Sequence, residues 1–391
     1  MGKVLAPLIL PLKRRLQTFS VVCFLGALPF CLLLGALWPA LSLYCMYGSE
    51  TDVWVNGCGT MTLGLFGIYL IYIFCIDTSY IYDGGKSKWF LRSALFCSIS
   101  KNFVEFYPHE VVFDPLVLEQ NNATLDNTEV AGGRYEPGGR YLHCCHPHGL
   151  FGLGVWCTFV ANYDGGAAAS FFHHHVFGGN NNKELPDVEV AVHTMTANFR
   201  IPFWREFLLA LGFRDVGRRS LVHSMTRAKG GDRRIHFSVL VPGGASEAVD
   251  CTTPVLTLKR RKGFVRIALE TGCSLVPVFS FGETRLYKPL VQLSRVHSVL
   301  RRVQKVLGVG TPLVRGRGVF NYAFGLLPFR ERLITVIGRP IRVLRSSEAA
   351  VITEAAIDAV HEQYIAAIQD LYRRYQPIYD SHSTHRELVI S

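Results

Sequence analysis

The sequence predicts an α/β domain with a mixed, mostly parallel sheet flanked by helices, preceded by an N-terminal hydrophobic hairpin. Two observations predict this class. Two long uncharged runs lie side by side near the start of the chain, and beyond them short apolar runs alternate with helical patterns. The composition agrees. Of 391 residues 49% are apolar and 18% charged, against about 25% charged in a typical soluble domain.

The first uncharged run extends from Leu16 to Ser49 and the second from Val53 to Ile76. Each exceeds the roughly 20 residues that a helix needs to cross a bilayer. Only Glu50, Thr51 and Asp52 separate them, so residues 1–85 are expected to form a membrane anchor and residues 86–391 a cytosolic domain. Lys3, Lys13, Arg14 and Arg15 precede the first run, and Lys86, Lys88 and Arg92 follow the second. The positive-inside rule puts both flanks on the cytosolic side. The first run is too long for the apolar stretch of a signal peptide. Pro29, Pro39 and several glycines also suit a hairpin that dips in and returns, so crossing and re-entrant forms both stay open.

From about Asp77 the chain reads as globular. Glu119 to Gly139 is polar and Gly-rich, a loop by composition. The Asn122-Ala123-Thr124 sequon within it would be silent in the cytosol. Tyr141–Cys145, Val188–His193, Ile235–Val241 and Leu275–Phe279 are expected strands. Arg205–Leu211, Lys262–Thr271 and Ser347 to about Tyr375 are expected helices, with Gly272 as a C-terminal cap.

The net charge is +11 and the isoelectric point near 9.2, which favours anionic partners. Nucleic acid is not expected, because the cations lie among Phe, Leu and Trp and no recognition motif is present. The eleven cysteines contain no CxxC pair, so neither a zinc site nor a redox pair is indicated, and no metal is expected.

Three stretches could carry chemistry. Cys144-Cys145-His146-Pro147-His148-Gly149 follows an apolar strand, and Pro147 keeps His146 out of a helix. A histidine there suits general-base work, with His148 preferred over His146 because Gly149 lets a substrate approach the backbone. Two polar histidines in a turn is the plainer alternative. Leu240 to Glu247 runs from a strand through Gly243 and Gly244 to a carboxylate. The glycine amides could hold an oxyanion or a phosphate, and Glu247 could orient a histidine. A tight turn with a solvated glutamate is the alternative. Lys259 to Arg266 carries five cations in eight residues at a helix start, which suits either an anion clamp or a solvated face.

Other features are weaker. His173, His174 and His175 are consecutive and read as a loop. Gly244-Ala245-Ser246-Glu247-Ala248 approaches the GxSxG elbow of serine hydrolases without its last glycine. Asn198 to Glu206 mixes aromatics with charge, as an interfacial helix start or as packing.

Taken in order, these stretches resemble the diacylglycerol acyltransferase type 2 family, which includes monoacylglycerol and wax alcohol acyltransferases. His146-Pro147-His148-Gly149 matches its HPHG tetrapeptide. Asn198-Phe199-Arg200 with Pro202, Arg205, Glu206 and Phe207 resembles its NFR-x-P-xx-RE-aromatic block, and Gly243–Glu247 its GGAxE block. Arg261-Lys262-Gly263-Phe264, then Leu275–Val278, then Phe281-Gly282-Glu283 resembles the RKGF, LVP and FGE series. Gly316 to Phe329 and Gly338-Arg339-Pro340-Ile341 match the late segments. The resemblance runs from about Asp77 to Tyr375. The chain departs from it around Asn180–Lys183, at Ser246 and at Arg218-Arg219-Ser220, which bears on the choice of acceptor.

The resemblance implies a glycerolipid-acyltransferase-like domain that moves an acyl chain from acyl-CoA to an acylglycerol hydroxyl, with no cofactor beyond acyl-CoA as co-substrate. It implies the endoplasmic reticulum membrane and the lipid droplet surface, and it admits a homo-oligomer. Catalytic roles fall on His148, Glu247 and His146, and oxyanion roles on Gly149, Gly243 and Gly244. Substrate binding falls on Arg205, Glu206, Arg261, Lys262, Gly263 and Phe264. In distant glycerophospholipid acyltransferases an aspartate follows the histidine by five residues. Leu153 stands there in this chain, so Glu247 is the expected acidic partner. A wax synthase with a fatty alcohol acceptor, a lipase using Ser246 and a non-catalytic droplet protein are the competing expectations.

Overall fold

Apolar runs that are buried on both faces build the centre of the molecule. In a computed structural model that describes residues 10–47, 53–82, 88–115, 135–161, 188–227, 234–249, 254–290, 314–344, 352–381 and 387–391, they line up as one sheet. Its strands are β1 (Glu110–Phe113), β2 (Arg140–His146), β3 (Val188–Thr194), β4 (Phe213–Asp215), β5 (Ile235–Leu240), β7 (Ser274–Phe281) and β10 (Ile334–Ile337). The spatial order is β1-β10-β7-β2-β5-β3-β4. Every neighbouring pair is parallel except β10 with β7. The mixed, mostly parallel sheet expected from the sequence is therefore present. Two small ribbons complete the strands. One pairs β6 (Val255–Leu256) with β11 (Val389–Ile390), and the other pairs β8 (Lys288–Pro289) with β9 (Val314–Arg315).

The four predicted strands are found, each within about two residues of its expected ends. β1, β4 and β10 were not read from the sequence. Side chains alternate between two cores, as the period of a strand requires. Tyr141, Cys145, Val276, Val278, Phe237 and Val239 face one core. Leu142, Cys144, Leu275, Phe279, Phe281 and Leu240 face the other.

Helix α1 (Leu12–Tyr47) and helix α2 (Val53–Ile71), which continues as a wider turn over Tyr72–Ile76, form the N-terminal hairpin. Both are long and apolar enough to cross a membrane. α1 starts earlier than expected and takes Lys13, Arg14 and Arg15 into its first turn. Glu50, Thr51 and Asp52 lie outside the described residues, as do the Asn122 sequon, His173–His175 and Asn180–Lys183. The two helices approach closely at Gly59, where an added Cβ would lie 2.7 Å from the Ser42 carbonyl oxygen. Small residues serve this purpose in membrane helix pairs. Ser42 Oγ and Thr62 Oγ1 are 2.9 Å apart, and Trp38 Nε1 donates to the Thr62 carbonyl.

The hairpin is seated on the sheet domain. Phe24 of α1 packs against Trp156 and against Phe96 and Phe103 of α3 (Ala94–Phe106). Phe203 stacks on Trp38 and Tyr69 just before α4 (Trp204–Leu211). On the other face lie α5 (Arg218–Thr226), α6 (Gly263–Thr271) and α7 (Glu354–Tyr379). Gly272 closes α6 at φ +70°, the left-handed cap its position predicts. Thr353 Oγ1 caps α7 by accepting from the Ala356 N–H. The first residues of the predicted Ser347–Tyr375 helix fall among residues 345–351, outside the described set.

Candidate active site

The C-terminal ends of β7, β2 and β5 lie side by side, because these three strands are adjacent and parallel. After β2 the chain leaves toward β3 on one side, while β7 flanks β2 on the other. A crevice at such a switch point is where open α/β sheets bind ligands. The loops meeting there carry His148 after β2, Glu247 after β5 and Glu283 after β7.

The two histidines of the β2 loop have different surroundings. His146 is fully buried, with Nε2 2.9 Å from the Tyr364 hydroxyl, which itself donates to the Cys144 carbonyl. That hydroxyl therefore accepts from His146 Nε2–H. Burial depresses the His146 pKa to about 3. His148, beyond a cis His146–Pro147 peptide, is half-buried. Its Nδ1 lies 2.9 Å from the Gly149 carbonyl oxygen, which can only accept, so Nδ1 carries the proton and Nε2 keeps its lone pair. Desolvation lowers the His148 pKa, partly offset by that carbonyl. At neutral pH the ring is an unprotonated base with a fixed tautomer.

Glu247 meets His148 differently from expectation. It accepts the main-chain N–H of His148 at 2.9 Å through one oxygen and the Thr257 N–H at 2.9 Å through the other. The expected contact was with the imidazole. The carboxyl reaches the loop backbone instead, and the ring nitrogen nearest the chain is taken by Gly149. Desolvation raises the Glu247 pKa to about 7 against the two amide donors. Gly243 makes room for this carboxyl, since an added Cβ there would lie 1.9 Å from Glu247 Cδ. The Gly244 amide is engaged with the Val241 carbonyl, which leaves Gly149 and Gly243 as oxyanion candidates from the expected set.

Glu283 ends the FGE block, and nothing in the sequence alone gives it a role. It is buried, and its oxygens accept the N–H groups of Leu153 at 2.9 Å and Gly154 at 2.7 Å. A carboxylate thus does reach position 153, but from the far strand and onto the backbone. A usable signal was a glutamate two residues beyond the end of the buried, mostly apolar β7.

The expected substrate-binding residues separate into two groups. Arg205 is only 2% exposed and pairs with Asp77 and with Glu206 at 3.0 Å, while Glu206 accepts from Tyr69 at 2.6 Å. Their polar atoms tie α4 to the hairpin. Phe264 is buried with its ring centroid 5.0 Å from that of Tyr364. Lys262 pairs with Asp358, and Arg266 with Glu354 at 2.5 Å, so both bind α6 to α7. Gly263 opens α6 and is exposed. Lys259, Arg260 and Arg261 are exposed, and Arg261 Nη2 donates to Ser246 Oγ at 3.1 Å, beside Glu247. An exposed basic edge therefore adjoins the loop that carries Glu247. On the β7 side Phe151, Phe320, Phe324 and Leu326 are exposed, and Phe151 packs on Tyr287, whose hydroxyl donates to the Leu326 carbonyl.

Comparison with known proteins gives one consistent result. Residues 130–391 match the family model described as diacylglycerol acyltransferase. The chain is 34% identical to diacylglycerol O-acyltransferase 2A of Umbelopsis ramanniana over 380 residues, covering 96% of this chain and 90% of that protein. It is 31% identical to 2-acylglycerol O-acyltransferase 1 of Bos taurus, covering 96% and 95%. It is 30% identical to diacylglycerol O-acyltransferase 2 of Dictyostelium discoideum, covering 94% and 93%. No solved structure matches the chain.

Proposed function

The chain belongs to the diacylglycerol acyltransferase family, and from that premise we propose that it esterifies an acylglycerol with the acyl group of acyl-CoA, using His148 as the base. The observation that carries this reading is the His148 ring, with Nδ1 held by the Gly149 carbonyl and Nε2 left as an acceptor. Nε2 takes the proton of the acceptor hydroxyl as its oxygen attacks the thioester carbonyl. The carbon–sulfur bond breaks, the proton passes from His148 to the departing thiolate, and the products are the ester and free CoA. The Gly149 and Gly243 amides are the donors for the oxyanion. Glu247 holds the His148 backbone, and its negative charge favours the imidazolium formed in transit.

The exposed Lys259, Arg260 and Arg261 suit the phosphates of CoA, and the apolar surface around Phe151 and Phe320–Leu326 suits the acyl chains. Diacylglycerol and monoacylglycerol are both acceptors in keeping with the relatives' names. In keeping with the family resemblance we place the enzyme in the endoplasmic reticulum membrane, and the charge asymmetry around the hairpin favours a sheet domain on the cytosolic side. A lipase reading through Ser246 finds less support, because the Arg261 guanidinium that donates to its hydroxyl cannot act as the base a serine nucleophile needs.

The test uses membranes carrying the protein, labelled oleoyl-CoA, and monoacylglycerol, diacylglycerol or a long-chain alcohol. His148→Ala should lower the rate roughly 10²- to 10⁴-fold. An undiminished rate in that variant, or product formed without acyl-CoA, refutes the reading.

A further inference from the structure

Glu283 takes no part in the reaction just described, yet its surroundings are costly for a carboxylate. It is 3% exposed, and among the described residues no cation pairs with it. Its oxygens accept only the two amides of Leu153 and Gly154. The titratable side chains facing it, Tyr107 and Cys157, are both held neutral by burial. A buried carboxylate without a counter-charge weakens a fold, so one that persists beside a reactive loop asks for another reason.

The loop is shaped around this carboxyl. A Cβ at Gly149 would lie 2.3 Å from Glu283 Oε1, and one at Gly154 would lie 2.3 Å from Ser280 Oγ and 3.3 Å from Glu283 Oε2. Gly149 and Gly152 both have positive φ, +58° and +66°, so the turn between them is sharp. Gly149 also supplies the carbonyl that holds His148 Nδ1. One carboxyl thus packs on the first residue of the turn and bonds to its last two amides. Glu247 holds the preceding amide, that of His148, from the β5 side.

We propose that Glu283 is the positioning carboxylate of His148: it clamps the 149–154 turn and so fixes the Gly149 carbonyl that aims the imidazole. The proposal rests on reading His148 as the base. Glu283 does not touch substrate; it acts through the turn. Loss of either amide contact lets the Gly149 carbonyl rotate, and the ring then loses both its tautomer and its direction.

Full-length wild type, Glu283→Gln and Glu283→Asp are compared in detergent micelles with two readouts. One is kcat and KM for oleoyl-CoA. The other is the pH dependence of His148 carbethoxylation by diethyl pyrocarbonate, read by peptide mass spectrometry. The glutamine sets an NH₂ donor against one amide donor, so kcat should fall roughly tenfold to a hundredfold. KM should stay within about threefold, as for an interaction made in the transition state. The midpoint of His148 modification should move to lower pH, because the Gly149 carbonyl contact that favours the protonated ring is loosened. The aspartate keeps a carboxyl acceptor but is too short for both amides, so its losses should be partial. A folded Glu283→Gln protein with wild-type kcat and an unmoved midpoint overturns the proposal. So does failure of both variants to fold, which would assign Glu283 to the fold alone. Wild type without acyl transfer would instead sink the base reading, and the modification curves would still report on the clamp.

Discussion

Gly243→Ala tests the other carboxylate without altering it. Gly243 does not have positive φ, so alanine meets no backbone strain there and the cost is overlap alone. Its Cβ would lie 1.9 Å from Glu247 Cδ and Oε1 and 2.5 Å from Cγ. Carbon atoms in contact settle at about 3.5–4.0 Å, so the carboxyl must move by about 1.5–2 Å. Such a shift breaks the 2.9 Å bonds to the His148 and Thr257 amides. A hydrogen bond to a charged group contributes about 1.5–3 kcal/mol, which sets a ceiling of about 3–6 kcal/mol for the pair. Water reaching the freed groups lowers the expected loss to about 2–4 kcal/mol. The thermal-inactivation midpoint in micelles should drop by roughly 3–6 °C. Acyl transfer at a permissive temperature should fall as well, because the His148 backbone is released. Ser246→Ala, on the exposed side of the same turn, is the control and should change neither. A Gly243→Ala protein with the wild-type midpoint and rate would refute the view that Glu247 anchors the loop.

The remaining expectations are separable by assay. Tyr364→Phe removes the acceptor of His146 and should lower stability by about 1–2 kcal/mol with little change in kcat, the reverse of His148→Ala, as thermal inactivation and rates measured together will show. Arg205→Ala leaves Asp77 partly buried without its partner and should cost about 3–5 kcal/mol, seen as faster proteolysis between hairpin and sheet domain with KM for acyl-CoA unchanged. Lys259→Glu with Arg260→Glu should raise KM for acyl-CoA, with the difference shrinking at high salt. Burial holds His109 and His193 at about 4 and His143 and His146 at about 3, each below its unfolded value of 6.5. Their contribution to stability is complete above pH 6.5 and is lost as pH falls toward 4. Glu247 and Glu283, raised to about 7, act oppositely between pH 4.5 and 7 but are outnumbered. Denaturation midpoints should therefore fall on acidification below pH 6.5.

The central strands were legible because burial on both faces writes them as mostly apolar runs, broken by single polar residues such as His143, His236 and Ser238. β1 and β10 have four residues each, and β4 has three, of which Arg214 and Asp215 are charged. Arg214 lies buried because Glu189 and Ser224 accept from its two terminal guanidinium nitrogens, a compensation that arises only when β3 and α5 have been brought beside it. Lys262 lies in the basic stretch and Phe264 in the RKGF block, which is why both are expected substrate contacts. Their partners, Tyr364 and Asp358, sit on a helix about a hundred residues later, and nothing local announces them. His148 and Glu247 were found as residue types suited to the chemistry, but which atom of each meets the other depends on the path of the loop.

That loop path also accounts for the dispersal of the site along the chain. A strand end at the centre of a parallel sheet leaves its next few amides without a ladder partner, and buried amides must be satisfied. The β2 loop cannot satisfy them itself, because Gly149 and Gly152 turn it too sharply for regular structure. The neighbouring strands supply the acceptors. β5 sends Glu247 to the His148 amide, and β7 sends Glu283 to the Leu153 and Gly154 amides. Blocks far apart in sequence are therefore bound to one another by the hydrogen-bonding needs of a single turn. A change in either carboxylate is therefore felt first in the backbone of the loop that carries His148.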